Sequence, residues 1–95
     1  KLLFAVPNGG YRPMTTAAML REEGVKAGVP DCCLPVARGR FYSLWLELKR
    51  ADRSNHPTPA QAEWIECLRS YGHMAVVCYG AQEAIDTIKA YLGIE

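Results

Sequence analysis

Two acids and a lysine stand where they could hold an ion and a phosphate together. Asp31 follows Pro30, and fifteen residues separate it from Glu47-Leu48-Lys49, the end of an apolar run. On an extended strand, positions i and i+2 point to one face. Glu47 and Lys49 therefore project together, and Leu44, Leu46 and Leu48 project the other way. Hydrolysing a phosphodiester needs a nucleophilic water, charge stabilisation on the phosphorane-like oxygens and help for the leaving group. A divalent ion held by carboxylates supplies much of this. Mg²⁺ takes oxygen ligands, commonly one or two carboxylates with waters and substrate oxygens. Asp31 and Glu47 are suitable ligands, and the Leu48 carbonyl between Glu47 and Lys49 is placed to be a third. Lys49 is a cation aimed at the same spot, able to position a water or stabilise developing negative charge.

The elements that must hold these residues follow from local pattern. Leu2 to Val6 is a continuous apolar run ended by Pro7-Asn8-Gly9-Gly10, which predicts a strand buried on both faces and then a turn. Thr15/Thr16 to Glu23 predicts a helix, capped by threonine and ended by Gly24. Pro30 excludes a continuing helix, and Asp31 to Leu34 reads as a buried strand with the acid at its end. Pro35 to Arg40 is the expected turn of a hairpin whose second strand is Phe41 to Leu48. Glu47 in that core-like strand is costly unless it is paired, bound to a metal or at the exposed end. Ala51 to Pro59 is a polar loop, and its lone His56 reads as an ordinary loop residue.

Thr58-Pro59-Ala60-Gln61 is a helix start, with threonine as N-cap, proline at N1 and glutamine at N3 of a capping box. That helix runs to about Tyr71, with Trp64, Ile65, Leu68 and Tyr71 as its core face, and Gly72 stops it. His73 to Tyr79 is a further buried strand. Ala81 to Leu92 is a closing amphipathic helix with Ala84, Ile85, Ile88, Tyr91 and Leu92 on one side. The order is strand, helix, strand, strand, helix, strand, helix. It predicts an α/β fold with a mixed sheet of about four strands flanked by helices.

The 95 residues allow a single domain, and 49% apolar composition is ordinary for a globular chain. The formal net charge is only +1. Between Arg38 and Arg53, however, five basic residues stand against two acids. Such a local excess fits an anionic substrate, or simply a solvated loop. Cys32, Cys33, Cys67 and Cys78 match no zinc spacing, and their apolar settings suit free thiols in a reduced, intracellular compartment. No apolar run approaches the ~20 residues of a membrane helix, so no membrane partner is expected.

Pro30-Asp31 followed by Glu47-Leu48-Lys49 resembles the PD-(D/E)xK nuclease signature. More specifically, four features together are similar to the VRR-NUC domain: Pro7-Asn8-Gly9-Gly10, the run from Glu22 through Gly28-Val29-Pro30-Asp31, then Leu46 to Arg50, and Pro59-x-Gln61. The resemblance spans essentially residues 1–95. It implies a restriction-endonuclease-like fold and Mg²⁺- or Mn²⁺-dependent cleavage of DNA. It implies Asp31 and Glu47 as metal ligands, Lys49 as the catalytic lysine, and Gln61 close to the site, a role compatible with capping. It also implies that Asn8, Gly9 and Gly10 line the substrate side. Arg12, Lys26, Arg38, Arg40, Arg50 and Arg53 are the basic residues expected to meet DNA. Small stand-alone members resemble Holliday junction resolvases of phages and bacteria, which act as homodimers, so branched DNA, a second copy and the cytoplasm are the expected setting. Many relatives begin with a helix whose acid joins the metal site. This sequence starts at the first strand, so the expected site has one ligand fewer or its helix lies outside this stretch. The alternative expectation is a non-catalytic DNA-binding module on a nuclease-like fold.

Overall fold

The computed structural model describes residues 2–6 and 28–94. Four strands form one sheet in the order β1-β2-β3-β4, with β1 Phe4–Ala5, β2 Cys32–Leu34, β3 Leu44–Lys49 and β4 Met74–Tyr79. The β1–β2 and β2–β3 pairs are antiparallel and β4 runs parallel to β3. Helix α1, Pro59–Ser70, makes the crossover between β3 and β4, and α2, Ala81–Leu92, follows β4. The sheet is therefore mixed, as expected. The expected helix from Thr15/Thr16 to Glu23, and Asn8, Gly9, Gly10, Arg12 and Lys26, lie outside the described residues.

Alternation along β3 sorts the two layers. Leu44 and Leu46 are fully buried and join Leu34, Cys78 and Tyr91 in one core cluster, against which Ala84 and Ile88 of α2 pack. Glu47 and Lys49 point to the opposite face, where α1 lies. The capping signals for α1 hold in full. The Thr58 hydroxyl accepts from Gln61 N–H at 3.2 Å, and the Gln61 side-chain oxygen accepts from Thr58 N–H at 2.9 Å. Two of the orphan donors at the helix start are thereby satisfied. Past the helix end, Gly72 takes φ +92°, and a Cβ there would lie 2.7 Å from the Tyr42 ring.

Three local expectations change. The run from Leu2 to Val6 is not a strand buried on both faces. It is a two-residue strand at the sheet edge, bonded among the described residues only to β2, and Phe4 is 49% exposed. A short apolar run carries no record of whether its second edge or second face will be covered. The hairpin's return strand starts at Leu44 rather than Phe41, because Phe41 bonds back to Arg38 in the turn and Tyr42 N–H donates to the Gly72 carbonyl. Tyr71 leaves the core stripe of α1: as the C-cap it has φ −97°, ψ 10°, and it is 73% exposed.

Candidate active site

The hairpin register creates the site. Cys32 pairs with Leu46, which leaves Asp31 just before the start of β2 and beside the last residues of β3. There the Asp31 carboxylate accepts the Leu48 N–H at 2.8 Å. In an extended strand the N–H and C=O of one residue share an edge. The Leu48 carbonyl therefore projects to the same edge as Asp31. Two features fix the approach to Asp31. Pro30 is fully buried, and Gly28, at φ +89°, passes so close to α1 that a Cβ there would lie 2.7 Å from the Ala60 carbonyl carbon.

Glu47 is 2% exposed, an unusual place for a carboxyl group. One of its oxygens, Oε2, lies 3.5 Å from Lys49 Nζ. The other, Oε1, is buried and has no hydrogen-bond partner among the described residues. Burial pushes the Glu47 carboxyl up to about 7, helped by the negative Asp31 and opposed by Lys49. Lys49 also donates to Gln61 Oε1 at 2.8 Å. That same oxygen closes the capping box of α1, so one atom serves both helix start and site. Of the three ammonium donors, Gln61 takes one and Glu47 faces another, which leaves a third for a further acceptor. Burial, together with Asp31 and Glu47, pushes the Cys32 thiol up, so it stays neutral beside the carboxylates.

The donor set fits a hard divalent cation. Two carboxylates and a carbonyl are oxygen ligands of the kind Mg²⁺ and Mn²⁺ prefer. A buried oxygen with no protein partner, on an acid whose ionisation its surroundings oppose, is the feature a bound cation would satisfy. Among the described residues no third acid, histidine or cysteine converges with the pair.

The basic residues separate into groups. Arg50, directly after Lys49, is exposed, and among the described residues its side chain reaches only Asp52, at 3.8 Å. Arg38 and Arg40 lie in the hairpin turn beyond the opposite end of β3, whose stretch from Leu44 to Glu47 alone spans about 10 Å. There Arg38 donates to the Leu92 carbonyl at 2.6 Å, and Arg40 covers the Phe41 ring. The structure does not bring these two to the carboxylates, because the hairpin turn and the site lie at opposite ends of β3. Arg53 pairs with Glu83 at 2.7 Å and stacks on Tyr79. Sequence reasoning passed over Tyr79 and Glu83. The only local signal was that Tyr79 ends an apolar strand and Glu83 opens a helix.

No family model and no curated protein matches the chain. Among solved structures, that of a "VRR_NUC domain protein" superposes with a TM-score of 0.82 at 35% identity, covering 98% of this chain and 69% of that one. The mixed four-stranded sheet, with paired acids and a lysine where β2 begins and β3 ends, defines a nuclease-type α/β domain. The chain belongs to the VRR-NUC family.

Proposed function

We infer that this domain is a metal-dependent endonuclease that hydrolyses phosphodiester bonds of branched DNA, such as a Holliday junction, as a homodimer in the cytoplasm of a bacterial or phage-infected cell. The observation that carries the cleavage reading is the buried Glu47, with Oε1 unpartnered among the described residues, set beside Asp31 and Lys49. Asp31, Glu47 and the Leu48 carbonyl would hold Mg²⁺ or Mn²⁺. When bound, the ion supplies charge neutralisation at the phosphate and acidifies water. The chain's own residues do the rest. Gln61 and Glu47 orient the Lys49 ammonium, whose remaining proton faces a phosphate oxygen and stabilises charge as it develops there. Burial of Glu47 excludes bulk water and strengthens these charge interactions. Arg50, exposed after the site, meets the phosphate backbone. The branched substrate and the homodimer come from the family resemblance. A twofold dimer suits a four-way junction because its two sites are related as the two cut strands are.

A labelled four-way junction with Mg²⁺ or Mn²⁺ tests the reading. Wild type cuts it, Lys49→Ala and Asp31→Asn lose at least about a hundredfold in rate, and sedimentation gives a dimer. Failure of wild type to cut any duplex or junction with either ion, or cutting undiminished in Lys49→Ala, removes the assignment.

A further inference from the structure

Beside the carboxylate centre lies a second cluster that the cleavage reading does not use. Lys49 and Tyr79 are register partners in the parallel β3–β4 pair, so their side chains share a face on strands about 4.8 Å apart. The loop 50–58 leaves Lys49 and returns to it, because Thr58 N–H and Lys49 Nζ both donate to Gln61 Oε1. Midway, the loop is pinned to β4. Arg53 lies 4.4 Å above the Tyr79 ring and pairs with Glu83, and Glu83 also accepts the Tyr79 N–H at 2.9 Å. Arg53 has φ +59°, the only positive φ on a non-glycine residue among those described. A side chain in that region is strained, and the stack and the ion pair offset the strain. The close approach continues at Gly80, where a Cβ would lie 2.8 Å from Ala51 Cβ.

The pinned loop brings His56 to the Tyr79 hydroxyl, with Nδ1 3.4 Å from the oxygen and the ring edge-on to the phenol. This contact is longer than a settled hydrogen bond, so either group can exchange it for another polar atom at little cost. Its chemistry leaves one donor without a partner among the described residues in every protonation state. If the phenol donates to Nδ1, the Nε2–H is free. If Nδ1–H donates, the phenol O–H is free, and an imidazolium offers Nε2–H in addition. Such a donor next to a phosphate-directed lysine is a contact for a neighbouring anionic oxygen.

We propose that Tyr79 and His56 form a second phosphate-contacting subsite beside the Asp31–Glu47–Lys49 centre, engaging the nucleic-acid backbone next to the scissile bond and held in place by the Arg53–Tyr79–Glu83 latch. This rests on the nuclease reading for its substrate class. Its occupant is a phosphodiester of the strand being cut, and Arg53 is a positioning residue rather than a DNA contact.

The test separates binding from cutting. The dissociation constant of a fluorescein-labelled four-way junction is measured with Ca²⁺ in place of Mg²⁺, and steady-state cleavage with Mg²⁺. Tyr79→Phe keeps the ring and the Arg53 stack, and His56→Asn removes the imidazole. Each raises the dissociation constant about tenfold, and in cleavage the loss falls on KM rather than kcat. Tyr79→Phe leaves the salt dependence of binding unchanged, because a neutral donor releases no counterion. Arg53→Ala raises the dissociation constant as much as the Tyr79→Phe, His56→Asn pair together, and Arg53→Lys restores part of the loss. Dissociation constants within twofold of wild type for both single variants overturn the subsite, even if the protein cuts normally. Wild type that binds the junction without cutting it removes the nuclease reading, while the binding comparison still decides the subsite.

Discussion

Glu47 is the residue on which the local energetics turn. The folded chain holds its proton to about pH 7, whereas an unfolded glutamate releases it near 4.5. Between those values the native state binds more protons than the unfolded one, so the stability of the metal-free protein falls as pH rises. The loss amounts to about 3 kcal/mol and is complete above pH 7. Glu47→Gln removes the ionisation. In denaturant melts without divalent ions, this variant matches wild type to within about 1 kcal/mol at pH 4 and exceeds it at pH 8. A wild type that gains stability from pH 5 to pH 8 contradicts this account. The lysine beside it depends on a neutral partner as well. Gln61 Oε1 receives both Lys49 Nζ and Thr58 N–H, so a single amide oxygen joins the Lys49 ammonium to a helix cap.

At the level of elements, that sharing makes α1 part of the site. Thr58→Ala deletes half of the capping box and costs about 1 kcal/mol. Gln61→Ala deletes the other half and also strips Lys49 of its 2.8 Å acceptor. The two substitutions therefore lower the melting temperature similarly but differ in cleavage. Thr58→Ala stays within a few-fold of wild type, and Gln61→Ala falls at least about tenfold. Equal cleavage losses in the two variants would show that Gln61 acts only as a cap. The approach to Asp31 has its own element-level constraint. Gly28→Ala combines a positive φ with a Cβ 2.7 Å from the backbone of α1. Equilibrium unfolding should show a loss of about 1–3 kcal/mol, with cleavage reduced because Asp31 shifts against Leu48.

For the whole molecule, a divalent ion is expected to act as a structural ligand. Binding to the native state alone stabilises by about 2.7 kcal/mol at a hundredfold excess over the dissociation constant. In a domain of this size that raises the melting temperature by about 10–20 °C. Mn²⁺ titration followed by thermal melting should show the rise in wild type and none in Asp31→Asn. The rise should be smaller at pH 6 than at pH 8, since an ion must displace the Glu47 proton. Equal shifts in wild type and Asp31→Asn would place the ion elsewhere. None of the described helices is long and apolar enough to cross a membrane, and the four cysteines are free thiols.

Short-range chemistry was legible in the sequence because its signals and its effects sit within a few residues. The Thr58-Pro59-Gln61 start of α1, the span of α2 from Ala81 to Leu92, and the hairpin that carries Asp31 and Glu47 are of this kind. So is the common face of Glu47 and Lys49, which follows from the period of a strand. What depended on strand order and register was not legible. The edge position of Phe4–Ala5, the distance of Arg38 and Arg40 from the carboxylates, and the placing of Tyr79 beside Lys49 needed the sheet. A parallel partner is chosen through a crossover, and no local pattern records which residue will stand opposite which. Arg53 shows the difference most directly. In sequence it is one cation in a basic stretch, and only the packing of the loop on β4 turns it into the clamp on Tyr79.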